Sequence, residues 1–206
     1  MDELQHYWGW FVGSAHGLTT TKGLKETDKR FLECMGLVVS EVGGAVQAFR
    51  SPRTCSPKIL AYSHAAEKLA DIVIGLADMC CHFDIEAFEI HALGNFYEPF
   101  EEIDPLMTDK DAFSSCFRIL CAYSDCFDPS PPCNPIEGLA MVSAYLGDAI
   151  FAHLHGKDPD VSLAIADAIL AVCRVARTER INLGEAILAK HAYNSVCSYR
   201  HDAKLF

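Results

Sequence analysis

Glu67-Lys68-Leu69-Ala70-Asp71-Ile72-Val73-Ile74-Gly75-Leu76-Ala77-Asp78 is the stretch on which the fold turns. Its apolar residues belong to a longer series, Ile59, Tyr62, Ala66, Leu69, Val73, Leu76, Cys80 and Phe83, that advances by threes and fours. Such steps place side chains on one face of an α-helix, whereas a half-buried strand alternates at every second residue. Lys68, Asp71, Gly75 and Asp78 form a second stripe beside the first. The spacing therefore predicts a helix with one core face and an adjoining charged face.

The same text returns 96 residues later. Leu69-Ala70-Asp71-Ile72-Val73-Ile74 reads against Ile165-Ala166-Asp167-Ala168-Ile169-Leu170, and Ile85, Glu89 and Tyr97 read against Ile181, Glu185 and Tyr193. An offset held over about 30 positions suggests an internal duplication. Upstream, Glu41-Val42-Gly43-Gly44-Ala45 lines up with Tyr145-Leu146-Gly147-Asp148-Ala149.

Working outward, the pattern predicts helices over 5–17, from an Asp28 cap to about Arg50, over 58–83, 85–96, 109–126, 136–155 and 159–178, and from an Asn182 cap to about Cys197. The second of these carries the stripe Leu32, Met35, Val39, Val42, Val46 and Phe49. Thr19 to Gly23, Ser51 to Pro57 and Asp128 to Pro135 read as loops, and Pro99 to Pro105 as the joint between halves 1–103 and 104–206. Alternating strand patterns are almost absent, so the expected class is all-α.

Half of the 206 residues are apolar, which makes the chain globular. Against 28 acidic residues stand 17 basic ones, a net charge of −11 that opposes nucleic acid or anionic membrane as a general partner. The ten cysteines include no Cys-x-x-Cys pair, and Cys116, Cys121, Cys126 and Cys133 lack zinc-ligand spacing. No signal-like start and no apolar run of about 18 residues is read, so a cytoplasmic chain with reduced cysteines and no membrane span is expected. The histidines form no i, i+4 metal pair, and the Tyr7, Trp8, Trp10 cluster reads as core before it reads as a nucleobase platform.

The last segment, Ile181-Asn182-Leu183-Gly184-Glu185 through Lys190, Tyr193-Asn194 and Tyr199-Arg200-His201, resembles the C-terminal signature of the MazG-like, all-α nucleoside triphosphate pyrophosphohydrolases. Ser40 to Arg50 resembles that family's Glu-x-x-Glu helix, and Glu67 to Asp71 its Glu-x-x-Asp helix. The likeness is strong over 36–91 and 163–204 and faint elsewhere. Cys197, Ser198 and Asp202 stand where the family pattern has Arg, Pro and Gly. The resemblance implies a helical bundle of two tandem repeats arranged as an intrachain pseudo-dimer, monomeric or a homodimer. It implies Mg²⁺ held by Glu41 and Asp71, which would also be the catalytic pair. Lys190, Tyr193, Asn194, Arg200 and Lys204 would hold the phosphates of a nucleoside triphosphate, cleaved to monophosphate and pyrophosphate.

Magnesium takes hard oxygen ligands in near-octahedral geometry, and paired carboxylates on facing helices supply them. Here Gly44 and Lys68 replace two of the family's four acids, leaving Glu41 and Asp71. Lys68 is a point cation able to pair with either and to take the metal's place. Glu67 lies one residue off, about 100° round the helix, and reads as a poor substitute. The second copy has Tyr145, Asp148, Ala164 and Asp167 at the corresponding places. Any surviving site is therefore expected to be composite, with acids from the first copy and the phosphate-type tail from the second. The rival readings are a non-catalytic descendant that binds a nucleotide or a protein, and a helical scaffold unrelated to nucleotides. On either, Asp71 and Asp167 are structural partners and Glu41 is a solvated helix residue.

Overall fold

In the computed structural model, residues 3–21, 30–51, 55–88, 114, 116–121 and 134–196 are described. The chain is all-α over these residues. Its helices are α1 (Glu3–Thr21), α2 (Phe31–Arg50), α3 (His64–His82), α4 (Pro135–Leu154), α5 (Asp158–Thr178) and α6 (Leu183–Val196), with a further helical segment at 116–121.

The helix ends follow local chemistry. Ser63 caps α3, its Oγ accepting from Ala66 N at 3.1 Å. Asn134 caps α4, accepting from Ile136 N at 2.9 Å and Glu137 N at 3.1 Å, with Pro135 in the first turn, where its missing N–H matters least. Asn182 caps α6, as its side chain predicts, by accepting from Glu185 N. α3 ends with Asp84 left-handed at φ 54°, and Ile85 N reaches back to Cys80 O at 2.8 Å. α5 ends the same way, with Arg180 at φ 56° and Ile181 N to Ala176 O at 2.7 Å. Both ends are Schellman closures that satisfy terminal carbonyls, and they lie 96 residues apart.

Some boundaries depart from the sequence expectation. α1 continues through Thr19–Thr21, read as loop, because β-branched residues at a helix end still accept helical backbone. α3 starts at His64 rather than 58, where Ser63 supplies the cap, and 55–63 forms turns. Residues 85–86 are irregular and 87–88 a turn rather than helix, since the left-handed Asp84 redirects the chain. The remainder of the 85–96 helix, the Pro99–Pro105 joint and most of 109–126 lie outside the described residues. The α2 stripe is rotated: Leu32 and Val39 are exposed, while Phe31, Cys34, Met35, Val38, Val42, Ala45 and Ala48 are buried. α2 packs on two neighbours at once, so small alanines fill its contact face and the larger aliphatics at 32 and 39 are left outside.

α3 is the hub. It packs against α1, α2, α5 and α6, while α2 also meets α4, α4 meets α5, and α6 touches α1 and α5. Burial therefore wraps round α3, taking Ala66, Glu67, Leu69, Ala70, Ile72, Val73, Leu76, Ala77, Met79 and Cys80 out of water. One apolar cluster runs through all the described helices, joined by edge-to-face rings such as Phe11–Phe117 at 5.2 Å and Trp8–Phe88 at 4.9 Å. Tyr7 and Trp8 belong to that core, and Trp10 lies at its rim. Phe31, at the start of α2, stacks on His153, at the end of α4, at 4.0 Å, so these two helices run antiparallel. α2 is long and apolar enough to cross a membrane by length and composition, with mean hydropathy 1.3, although the sequence reading finds no such run. Here its inner face packs on α3 and α4.

Candidate functional site

Three carboxylates and three lysines meet where α2, α3, α6 and residues 55–63 converge. The i, i+4 relation of Glu67 and Asp71 puts both on the side of α3 that faces α6. Lys190 on α6 lies between them, its Nζ 3.0 Å from Glu67 Oε1 and 2.8 Å from Asp71 Oδ1. Its side chain is only 2 % exposed. One turn along, Lys68 Nζ sits 2.8 Å from Glu41 Oε2 on α2 and 3.4 Å from Asp71 Oδ2. Asp71 is thus the joint of a chain that runs Glu41, Lys68, Asp71, Lys190, Glu67. Residues 55–63 close it: Ser56 donates its hydroxyl to Glu67 Oε2, and Lys58 Nζ reaches Glu67 Oε1 at 3.3 Å. His64 Nδ1 lies 3.4 Å from the same carboxylate without a hydrogen bond.

The electrostatics follow the partners. Burial pushes the Glu67 carboxyl up, but the Ser56 hydroxyl, Lys190 and Lys58 outweigh it and hold the group at about 2, below its ordinary 4.5. Asp71 goes the other way. Burial raises it, Lys190 and Lys68 pull it back, and Glu41 adds repulsion, leaving it above the ordinary value. Lys68 is raised in spite of burial, by its hydrogen bond to Glu41 and the charge of Asp71. Counting side chains, three negative charges face three positive ones.

Gly44 explains how Lys68 fits. A Cβ at Gly44 would lie 3.2 Å from Lys68 Cδ and 3.4 Å from Cε. The lysine stem therefore occupies the space a larger residue at 44 would claim. Gly44 and Lys68 are parts of one packing arrangement.

Of the residues singled out in the sequence, Glu41, Asp71 and Lys190 come together in this cluster. Tyr193 flanks it, with Lys190 Nζ 5.9 Å from its ring centre. Asn194 is half-buried on the same helix. Tyr199, Arg200, His201 and Lys204 lie outside the described residues. Glu67, set aside as facing the wrong way, is at the centre, because the i, i+4 relation to Asp71 outweighs its offset from Lys68. Ser56 falls in the loop expected over 51–57 and Lys58 at the start of the helix expected over 58–83, and neither carries a site signal in the sequence. In the second hairpin Leu163 and Ala164 stand where Glu67 and Lys68 stand, Asp148 is exposed and Asp167 is half-buried. Among the described residues no group of three or more His, Cys, Asp or Glu is placed to hold a metal ion. A separate cleft of about 240 Å³ between α1 and the end of α3, lined by Trp8, Val12, Cys80 and Phe88, shares no residue with the cluster. Comparison of the chain with protein-family models, curated proteins and solved structures finds no match.

Proposed function

We propose that the chain is a MazG-like pyrophosphohydrolase scaffold, built of two tandem degenerate copies, whose acid site has been closed by lysines. On this reading it is a descendant that no longer hydrolyses nucleoside triphosphates and acts as a binding or interaction protein. The observation that carries it is Lys68 Nζ lying within 3.4 Å of both Glu41 and Asp71 over Gly44. Each would-be metal-facing carboxylate already has an ammonium partner, and Asp71 has two. A magnesium ion entering there would meet two carboxylates and two fixed positive charges, a donor set that does not suit a hard dication. No hydrolytic step is therefore assigned to these residues.

The tandem arrangement draws support from more than the repeated text. Laying 31–50 on 135–154 gives the same burial class at 17 of 20 positions, and laying 69–88 on 165–184 gives it at 18 of 20. With the two Schellman closures at one spacing, this is hard to obtain from unrelated helix pairs. A second reading, residual Mg²⁺-dependent hydrolysis, is favoured by one feature: the Glu41 side chain keeps 39 % of its surface open to water. Pyrophosphate release across the common ribo- and deoxynucleoside triphosphates with Mg²⁺ separates the two. The closed-site reading expects no release above a Glu41→Gln, Asp71→Asn control. Release abolished by that control would replace it with the enzyme reading.

A further inference from the structure

A second cluster of reactive side chains lies against α5 and shares no residue with the acids. In the helical segment 116–121, Cys116, Phe117 and Leu120 are buried. The Phe117 ring meets Phe11 of α1 edge to face, which fixes the segment on the core. Cys121 is four residues on from Phe117, at the edge of the same side, and is half-buried. On α5, Ile169, Cys173 and Ala176 follow at steps of four and three, all out of water. The two elements meet at sulfur. Cys121 Sγ stands 3.8 Å from Cys173 O, and the Cys121 and Cys173 thiols are hydrogen-bonded to each other. Arg177, one turn beyond Cys173, is exposed and brings its charge to bear on Cys121.

We propose that Cys121 and Cys173 form a redox-active dithiol, which a hydroperoxide converts into an intrachain disulfide joining the 116–121 segment to α5. Such a pair needs a thiolate, access for the oxidant and a second thiol in contact. Burial alone makes a cysteine inert: it pushes the Cys80 thiol up to about 12. Cys121 shifts the other way, below the ordinary thiol value, because the Cys173 thiol and the Arg177 charge favour its anion against the effect of burial. Cys173 is fully buried and its thiol is pushed well up, so it keeps its proton and waits as the second thiol. Cys116 is close by, but it is buried and its thiol is raised too, by burial and by the charge at Cys121. In the first step the Cys121 thiolate attacks a peroxide oxygen. A sulfur–oxygen bond forms, the oxygen–oxygen bond breaks, and the leaving hydroxide takes up a proton as water. The Cys173 sulfur then attacks the Cys121 sulfenic acid. A sulfur–sulfur bond forms, the sulfur–oxygen bond breaks, and the Cys173 proton leaves with the hydroxide as a second water. The two thiols lose two electrons and the peroxide gains them. None of this depends on the fate of the acid cluster.

The test uses the whole chain. The reduced protein would be treated with hydrogen peroxide, its remaining thiols alkylated under denaturing conditions, and the digest mapped by mass spectrometry without reductant. The expected product is one peptide pair linked through Cys121 and Cys173, two hydrogens lighter than its parts and separated again by dithiothreitol. Cys121→Ser keeps the side-chain size at a half-buried position and removes the thiol that meets the oxidant. In that variant Cys173 should stay fully alkylatable, while the exposed Cys55 and Cys81 react as in the native chain. Cys121 linked to any other cysteine, or ending as a sulfinic acid with Cys173 still reduced, would overturn the proposal. So would both thiols remaining reduced after Cys55 and Cys81 have been oxidised, or Cys173 oxidised equally in Cys121→Ser.

Discussion

The two hairpins differ most in what joins their helices. Thirteen residues connect α2 to α3, and three connect α4 to α5. The short connection is a tight turn with Gly156 at φ 66°, a conformation that asks for glycine. In the long one Ser56 Oγ accepts from Lys58 N and Ile59 N and donates to Glu67 on α3. That loop delivers the partners that let a glutamate be buried on α3. At the matching place on α5, with no such loop, the chain has Leu163 and Ala164. A buried carboxylate is tolerated only when ionic and hydrogen-bond partners arrive with it. The hairpin with a loop and a facing α6 lysine carries the buried charge, and the other carries none at the corresponding place.

The comparison breaks most sharply at Lys190. Removing it by Lys190→Ala leaves Glu67 and Asp71 buried without their shared cation. The loss expected is about 3–5 kcal/mol in urea or thermal unfolding. A loss under about 1 kcal/mol would mean that water reaches the pair and that the burial argument fails.

Acid should act through Glu67, one of the two carboxylates that Lys190 bridges. Glu67 is depressed in the fold, so its contribution is complete above pH 4.5 and disappears as pH falls towards 2. A shift of that size corresponds to about 3 kcal/mol. Asp71 is raised, so it opposes part of that loss in acid. Glu67→Gln should flatten the limb between pH 4.5 and 2 in equilibrium unfolding measured against pH. An unchanged limb would assign acid sensitivity to other groups.

The loop comes next in size. Ser56→Ala removes a buried hydroxyl that makes three hydrogen bonds. About 2 kcal/mol should be lost, and amide exchange at Lys58 and Ile59 should quicken. Exchange unchanged at both amides would show that the loop holds itself. The smallest effect is expected at Lys68→Ala. Glu41 is partly solvated and Asp71 keeps Lys190, so the cost should be about 1 kcal/mol. A cost equal to that of Lys190→Ala would make the two cations equivalent.

Much of this was legible in the sequence, for physical reasons. Threes-and-fours spacing of apolar residues follows from helix geometry alone, so α4 and α5 emerge to within a residue, α3 is right at its C-terminal end but begins six residues later than expected, and Asn182 marks the start of α6. Lys68 between Glu41 and Asp71 follows from charge and spacing. The α2 face was misjudged because side-chain size does not report which neighbours a helix has. Glu67 looks misplaced when its register is read against the acid motif, because the partner that matters is Asp71, four residues on. Ser56 and Lys58 act from an irregular loop, whose path depends on tertiary contacts that no periodicity records.

The central claim is that an ammonium group stands in the place of a metal ion, and one measurement addresses it directly. Thermal unfolding of the native chain and of Gly44→Glu with Lys68→Glu would be followed across Mg²⁺ concentrations. The native chain should show no Mg²⁺-dependent change in Tm. In the double variant four carboxylates would face one spot, and Mg²⁺ at about 100 times its Kd should add about 2.7 kcal/mol, several degrees in Tm. A native Tm that climbs with Mg²⁺ while the folded double variant's does not would contradict the account, because the metal would then bind with Lys68 in place.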